Sequence, residues 1–217
     1  MRIFFSDGNS KLVKTGKAMG RRIVAFNLPP DLNFTDSEGG KRNTCPGALA
    51  CRAVCYAKQG RMAMPSAIAT RMDNLDASRS AVFVANALVA LDATKADTVR
   101  IHDSGDFYSQ RYLDAWFAIA NARPHVLFYC YTKSTHLDWS AAPANFAVTQ
   151  SEGGKFDSQL DVDFPHSRIF SSHAAREAAG YVDGNIDDSP AILGLVKIGL
   201  VYHGQRKLTD AQVKYFA

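Results

Sequence analysis

The residues best equipped for chemistry sit in one short stretch, TCPGALACRAVCYAKQG, residues 44–60. Cys45, Cys51 and Cys55 are spaced C-x5-C-x3-C, and Tyr56 follows the last of them. Thiolates this close together can converge on one soft metal centre, a zinc ion or an iron–sulfur cluster. Spacing alone does not choose between iron and zinc. A structural zinc site takes four protein ligands, so three thiolates leave one position over. That position is either filled from a distance, with His102, Asp103, Cys130 and His203 as candidates, or left open for an outside ligand. Cys130 lies inside an apolar run, and a buried free cysteine also packs as a small hydrophobe.

Two further segments carry reactive side chains. His102–Asp103–Ser104–Gly105–Asp106 reads HDSGD, and Thr132–Lys133–Ser134 reads TKS. Ser104 or Asp106 suits the cap of a following helix. Gly105 suits a turn with positive φ or the close approach of a ligand to the backbone. An ionised Asp106 accepts hydrogen bonds only, so it suits a ligand ammonium group. Lys133 can hold a carboxylate or phosphate as a point charge. The chain has no P-loop, no G-x-G-x-x-G, no G-x-S-x-G and no H-E-x-x-H.

These segments need a scaffold, and the chain alternates in a way that supplies one. Ile23–Leu28, Val99–Ile101, Val126–Tyr131, Phe146–Val148, Arg168–Phe170 and Leu195–Val201 are apolar runs of strand length. Helical patterns at Pro65–Asp92, Ser109–Asn121 and His173–Ala179 lie between several of them. This rhythm predicts parallel βα units in one α/β domain spanning residues 1–217. Residues 31–44 read as a loop. Arg2–Phe5 and Lys11–Val13 read as an N-terminal hairpin extension within residues 1–20, turning at Asp7–Gly8–Asn9. Polar residues follow strand after strand: HDSGD, TKS, Gln150–Ser151, Ser171–Ser172–His173 and His203–Gly204. Barrel-type and open α/β folds place their sites at such carboxyl ends.

Composition sets the bounds. The chain has 217 residues, 47% of them hydrophobic, and its net charge is 25 − 21 = +4. The tight basic runs are only Lys41–Arg42 and Gln205–Arg206–Lys207, which is no strong nucleic-acid signal. The aspartates of Asp157–Asp163 and Asp183–Asp188 read as solvated loops. No apolar run reaches membrane-spanning length, and MRIFFSDGNS lacks a signal-peptide core. The expectation is a cytoplasmic, reducing location, where clustered cysteines serve metal or redox chemistry more often than disulfides. Oligomeric state is not readable, and a small-molecule ligand or a protein partner both fit.

CPGALACRAVCYAKQGR, VRIHDSGDFYSQRYLDAW and FYCYTKS together resemble the phage-encoded "gene product eighty-eight" family. That resemblance implies a phage protein in the host cytoplasm and does not define an activity. The order of strand, three-cysteine loop, helix and second strand is also similar to the radical S-adenosylmethionine (SAM) superfamily. That wider resemblance implies a partial (βα)6, TIM-barrel-like core and a [4Fe–4S] cluster on Cys45, Cys51 and Cys55. It also implies an open iron for SAM, cleaved to a 5′-deoxyadenosyl radical, with Gly105 and Asp106 near the methionyl amino group. The chain departs from the usual C-x3-C-x2-C spacing, and its aromatic follows the last cysteine. The competing expectation is a non-enzymatic protein whose cluster, or zinc, is fully ligated by protein. It would serve electron transfer, redox sensing or binding of a host protein.

Overall fold

The computed structural model describes residues 2–7, 9–203 and 207–216. The expected turn residue Gly8, the Gly204 that follows His203, and Gln205–Arg206 of the basic run lie outside the described residues.

A short strand β1 (Phe5–Ser6) leads into helix α1 (Ser10–Met19). The N-terminal hairpin therefore does not form. The Asn9 side chain accepts from the amides of Lys11 and Leu12 at 3.0 and 3.1 Å. That capping bond starts a helix where the Asp-Gly-Asn sequence suggests a turn. Gly20, with φ of 64°, ends it in the left-handed conformation that glycine favours.

Strand β2 (Ile23–Phe26) follows, fully buried. The segment expected to be loop then folds into a second, two-stranded sheet, β3 (Asn33–Thr35) with β4 (Lys41–Asn43). Its residues are polar and mostly exposed, so no apolar alternation marks it. Asp36 holds its turn by accepting from the amide of Gly40 at 2.6 Å. The single helix expected over Pro65–Asp92 is two, α2 (Pro65–Ser78) and α3 (Phe83–Thr94). At the break, the Ser80 hydroxyl accepts from the Val82 amide at 3.2 Å, a local bond that competes with helix.

From there strands and helices run as expected: β5 (Thr98–Ile101), α4 (Gln110–Ala122), β6 (Leu127–Thr132), β7 (Phe146–Ser151) and β8 (His166–Phe170). The chain continues through α5 (His173–Ala178), β9 (Val182–Asp183), α6 (Ser189–Ile192), β10 (Lys197–Val201) and α7 (Asp210–Tyr215). The strand order is β1-β2-β5-β6-β7-β8-β10-β9. All pairings in this sheet are parallel except that of β1 with β2. β1 and β9 stand at the two ends and do not pair, so the sheet stays open. The six expected strands are neighbours in chain order within the sheet.

The two faces differ. Val24, Phe26, Val99, Ile101, Phe128, Cys130 and Phe146 meet α2, α3 and α4 in one large apolar cluster. Trp116 of α4 is fully buried there, 5.0 Å from Phe26 and 5.7 Å from Phe83, ring to ring. Each such side chain contributes about 1.5–3 kcal/mol by leaving water. On the opposite face Ile23, Ala25, Tyr129 and Ile198 pack beneath Leu12 of α1 and Ala191 of α6. No helix among the described residues is long and apolar enough to cross a membrane.

Candidate functional site

The cysteine loop sits over the carboxyl ends of the parallel strands. It is built from short 3-10 turns at Ala50–Arg52, Tyr56–Lys58 and Gly60–Ala63. It is attached to several distant parts of the chain, and Arg52 and Lys58 pair with Asp31 at 2.9 and 3.2 Å. Thr44 is fully buried, and its carbonyl accepts from the Asp106 amide at 2.6 Å. The Gly47 carbonyl accepts from the Lys155 amide at 2.9 Å, beside a bridge between Ala48 and Gly154. Gly47 lies against the Lys133 carbonyl, where any Cβ would overlap it. The Tyr56 hydroxyl donates to the Asp103 carbonyl. Arg71 of α2 donates to the Met62 carbonyl at 2.8 Å and holds the far end of the loop.

All three loop cysteines are free and half-buried. The Cys45 sulfur accepts from the Asp31 amide at 3.3 Å. Burial pushes the Cys45 thiol up to about 12, against that amide bond, and the charges of Asp106, Cys51 and Cys55 add to the rise. Burial likewise raises Cys55, with Cys51 adding to it. The three sulfurs are thus near enough to feel one another's charge. They do not yet make a ligand set: among the described residues, no group of three or more His, Cys, Asp or Glu side chains is arranged to hold a metal ion.

The HDSGD segment joins strand ends to this loop. The Ser104 hydroxyl donates to the Leu28 carbonyl at 2.6 Å. Gly105 has φ of 82°, and a Cβ there would meet the Leu28 Cβ at 2.5 Å, so its glycine serves a tight turn. Asp106 is buried and accepts from the Thr132 hydroxyl at 2.7 Å and from the amides of Lys133 and Phe107 at 2.8 Å each. Burial raises its carboxyl and these bonds oppose the rise. Oδ1 takes two of these bonds and Oδ2 one, so the chain itself uses three of the carboxylate's acceptor directions. Asp106 ties the end of β5 to the end of β6 and seats the cysteine loop at Thr44.

The remaining expected residues are similarly engaged. The Lys133 ammonium donates to the carbonyls of Ser151 and Glu152, the former at 3.2 Å. Burial lowers its pKa, while Cys51 and the nearby carboxylates oppose that. His102, at φ of 69°, points into the aromatic core, its Nε2 2.9 Å from the Tyr112 hydroxyl. Burial, then the Arg100 charge, lowers it to about 3, so it is neutral at ordinary pH. Cys130 is fully buried on the helix-facing side of β6. Asp103 lies 3.1 Å from Arg100 Nε and accepts from the Asn9 amide side chain at 3.0 Å. His203 is exposed, two residues past the end of β10.

The structure also shows a constellation that the sequence hides. Asp188, expected in a solvated loop, is completely buried beneath α1. It pairs with Lys11 at 2.6 Å and with Arg100, and it accepts from the hydroxyls of Tyr129 and Tyr131 at 3.0 and 3.3 Å. Burial alone would raise its carboxyl, but Arg100 and Lys11 outweigh it and hold the group at about 2. Asp103 is pushed the other way, upward, by burial. Because Tyr56 reaches the Asp103 carbonyl, this buried charge cluster touches the cysteine loop directly.

The sequence model of a family described as "Gene product 88" matches residues 3–212. A relative from Mycobacterium phage L5, the "Gene 88 protein", is 32% identical over 106 residues, covering 43% of this chain and 44% of the relative. The chain thus matches less than half the length of that relative. No solved structure matches.

Proposed function

The chain belongs to the gene product 88 family, and we propose that it is an iron–sulfur protein of the host cytoplasm with a radical-SAM-like architecture. Cys45, Cys51 and Cys55 would hold a [4Fe–4S] cluster with one iron open to SAM or another ligand. The observation that carries the reading is placement. One loop brings three free, half-buried thiols to the carboxyl ends of parallel strands, where α/β folds keep their sites. The chain-order succession of six parallel strands in an open sheet supports a partial (βα)6 core.

The thiols must come closer together to ligate a cluster. The loop's backbone is built of short 3-10 turns, whose hydrogen-bond geometry is poorer than that of an α-helix, while Arg52 and Lys58 pair with Asp31 and Tyr56 donates to the Asp103 carbonyl. When bound, such a cluster would supply one-electron chemistry. The chain's own part is to seat Thr44 and Cys45 through Asp106, and to fix Tyr56 through Asp103.

An open fourth position is favoured over a closed one by the state of the alternatives. His102 and Cys130 face the helix layer, and Asp103 is bound by Arg100 and Asn9. Toward a SAM ammonium, Asp106 would offer Oδ2, which accepts only the Lys133 amide among the described residues. The test is the EPR spectrum of anaerobically reconstituted, reduced protein with and without SAM. A SAM-induced change in the signal supports the open site. An iron–sulfur signal indifferent to saturating SAM would shift the reading to a closed, non-enzymatic cluster.

A further inference from the structure

A cavity of about 60 Å³ lies between the β3–β4 hairpin, the end of α2 and the start of α4. It shares no lining residue with the cysteine loop. Three guanidinium groups from three elements line it: Arg42 of β4, Arg79 just past α2, and Arg111 in the first turn of α4. Ser78 and Tyr108 also line it, their hydroxyls 2.9 Å apart. The first amides of a helix lack partners within the helix and favour an anion, and the start of α4 borders this space.

Two carboxylates share the lining, and neither blocks it. Asp36 accepts from the amides of Glu38 and Gly40 at 3.0 and 2.6 Å and pairs with Arg42 at Nε, 3.0 Å away. It is engaged in holding the hairpin turn and leaves the terminal nitrogens of Arg42 to other partners. Glu38 meets Arg111 at 2.6 Å, but the side chains are 68% and 59% exposed. Exposed pairs of this kind contribute little, so a more highly charged anion can displace Glu38. An independent sign points to a missing partner. Arg79 Nε is buried with no hydrogen-bond partner among the described residues, although its other nitrogens reach Asp76 and the Thr35 carbonyl. A buried donor left unpaired is costly.

A broader cleft of about 550 Å³ adjoins along the hairpin, shares Arg42, and is lined by Asn33, Phe34, Lys41 and Asn43. Phe34 is held in place by Arg79, 5.5 Å from its ring centre, and by Tyr108, edge to face at 5.1 Å. Phe34 is paired in register with Arg42 and shares its face of the hairpin, so the ring lies beside the guanidinium groups and suits a planar organic group. We propose that cavity and cleft together bind a phosphate monoester. The phosphate lies among Arg42, Arg79 and Arg111, and its organic substituent lies along Phe34.

Calorimetric titration of the full chain with inorganic phosphate and with a nucleoside 5′-monophosphate tests this. Both probes bind, the nucleotide more tightly. Arg111→Ala weakens both by about tenfold, the loss of a charge-assisted bond. Phe34→Leu weakens only the nucleotide. Arg123→Ala, at the other end of α4 and paired with Asp92, changes neither. Circular dichroism confirms that each variant is folded. Absence of binding by either probe at millimolar concentration overturns the proposal. So does equal weakening by Arg111→Ala and Arg123→Ala, which would mark diffuse charge attraction. Equal affinity for the two probes overturns the assignment of the cleft.

Discussion

Two polar regions meet at the carboxyl ends of this sheet, and they are finished to different degrees. The cluster of Lys11, Arg100, Asp103 and Asp188 is buried, with Asp188 meeting two cations and two tyrosine hydroxyls. The loop of Cys45, Cys51 and Cys55 is half-buried, built of single turns, and its thiols surround no fixed centre. The first is closed in by packing and paired charges, whereas the second is partly open to solvent. Tyr56, bonded to the Asp103 carbonyl, is where the two touch. Buried ion pairs hold neighbouring elements together, even though Arg100 Nε and Asp103 Oδ1 lack a hydrogen-bond partner among the described residues, whereas a half-buried loop of thiols stays reachable from solvent.

The sharpest way to break this comparison is at Asp188. Replacing it with alanine leaves the buried Arg100 with Asp103 alone and the part-buried Lys11 without its carboxylate, and breaking a buried pair costs about 3–5 kcal/mol. Urea denaturation of Asp188→Ala checks it. A loss under about 1 kcal/mol, the range of exposed pairs, would mean that the cluster is not a scaffold.

Acid separates the two faces of β5. His102 has an ordinary value of 6.5 and a folded value of about 3. The unfolded chain therefore takes the proton first, and stability falls as pH drops from 6.5 towards 3, by about 1.4 kcal/mol per unit. Asp188 behaves differently, with an ordinary value of 3.8 and a folded value of about 2. Its contribution is fully present above 3.8 and disappears as pH falls through 2. Between pH 6 and pH 4, His102→Phe should flatten the fall of the urea midpoint, while wild type keeps it. Parallel curves for the two proteins would place the titration elsewhere.

Smaller effects sharpen the junction. Tyr56→Phe removes one hydrogen bond, costing about 1 kcal/mol. Hydrogen exchange should show faster opening of residues 49–60 with the strands unchanged. Unchanged exchange would mean that Tyr56 does not tie the regions together. Cys51→Ser in the metal-free chain should shift stability by no more than about 0.5 kcal/mol, as for a substitution that breaks no buried contact. A larger loss would make the cysteine a packing residue.

How much of this was legible in the sequence follows from the range of the interactions. The six parallel strands could be read because strands buried on both faces appear as apolar runs. The β3–β4 hairpin could not, since its strands are polar and carry no alternation. Asn9 misled because the same residue type turns a hairpin or caps a helix. The cysteines were visible as a cluster because their spacing is local. Asp188 was not, because Arg100 stands 88 residues away in the chain and Tyr129 stands 59 away. HDSGD was recognised as special, but its bonds to Leu28, Thr44 and Thr132 make it a clasp for the loop, which no motif spacing reveals.

The most direct test of the central claim is the iron and sulfide content of anaerobically reconstituted protein, compared with Cys45→Ser, Cys51→Ser, Cys55→Ser and Cys130→Ser variants. The account predicts matched iron and sulfide in wild type and in Cys130→Ser, with loss in each of the three loop variants while the chain stays folded. Full iron and sulfide in any of the three loop variants, or a colourless, iron-free wild type that retains zinc, would contradict it.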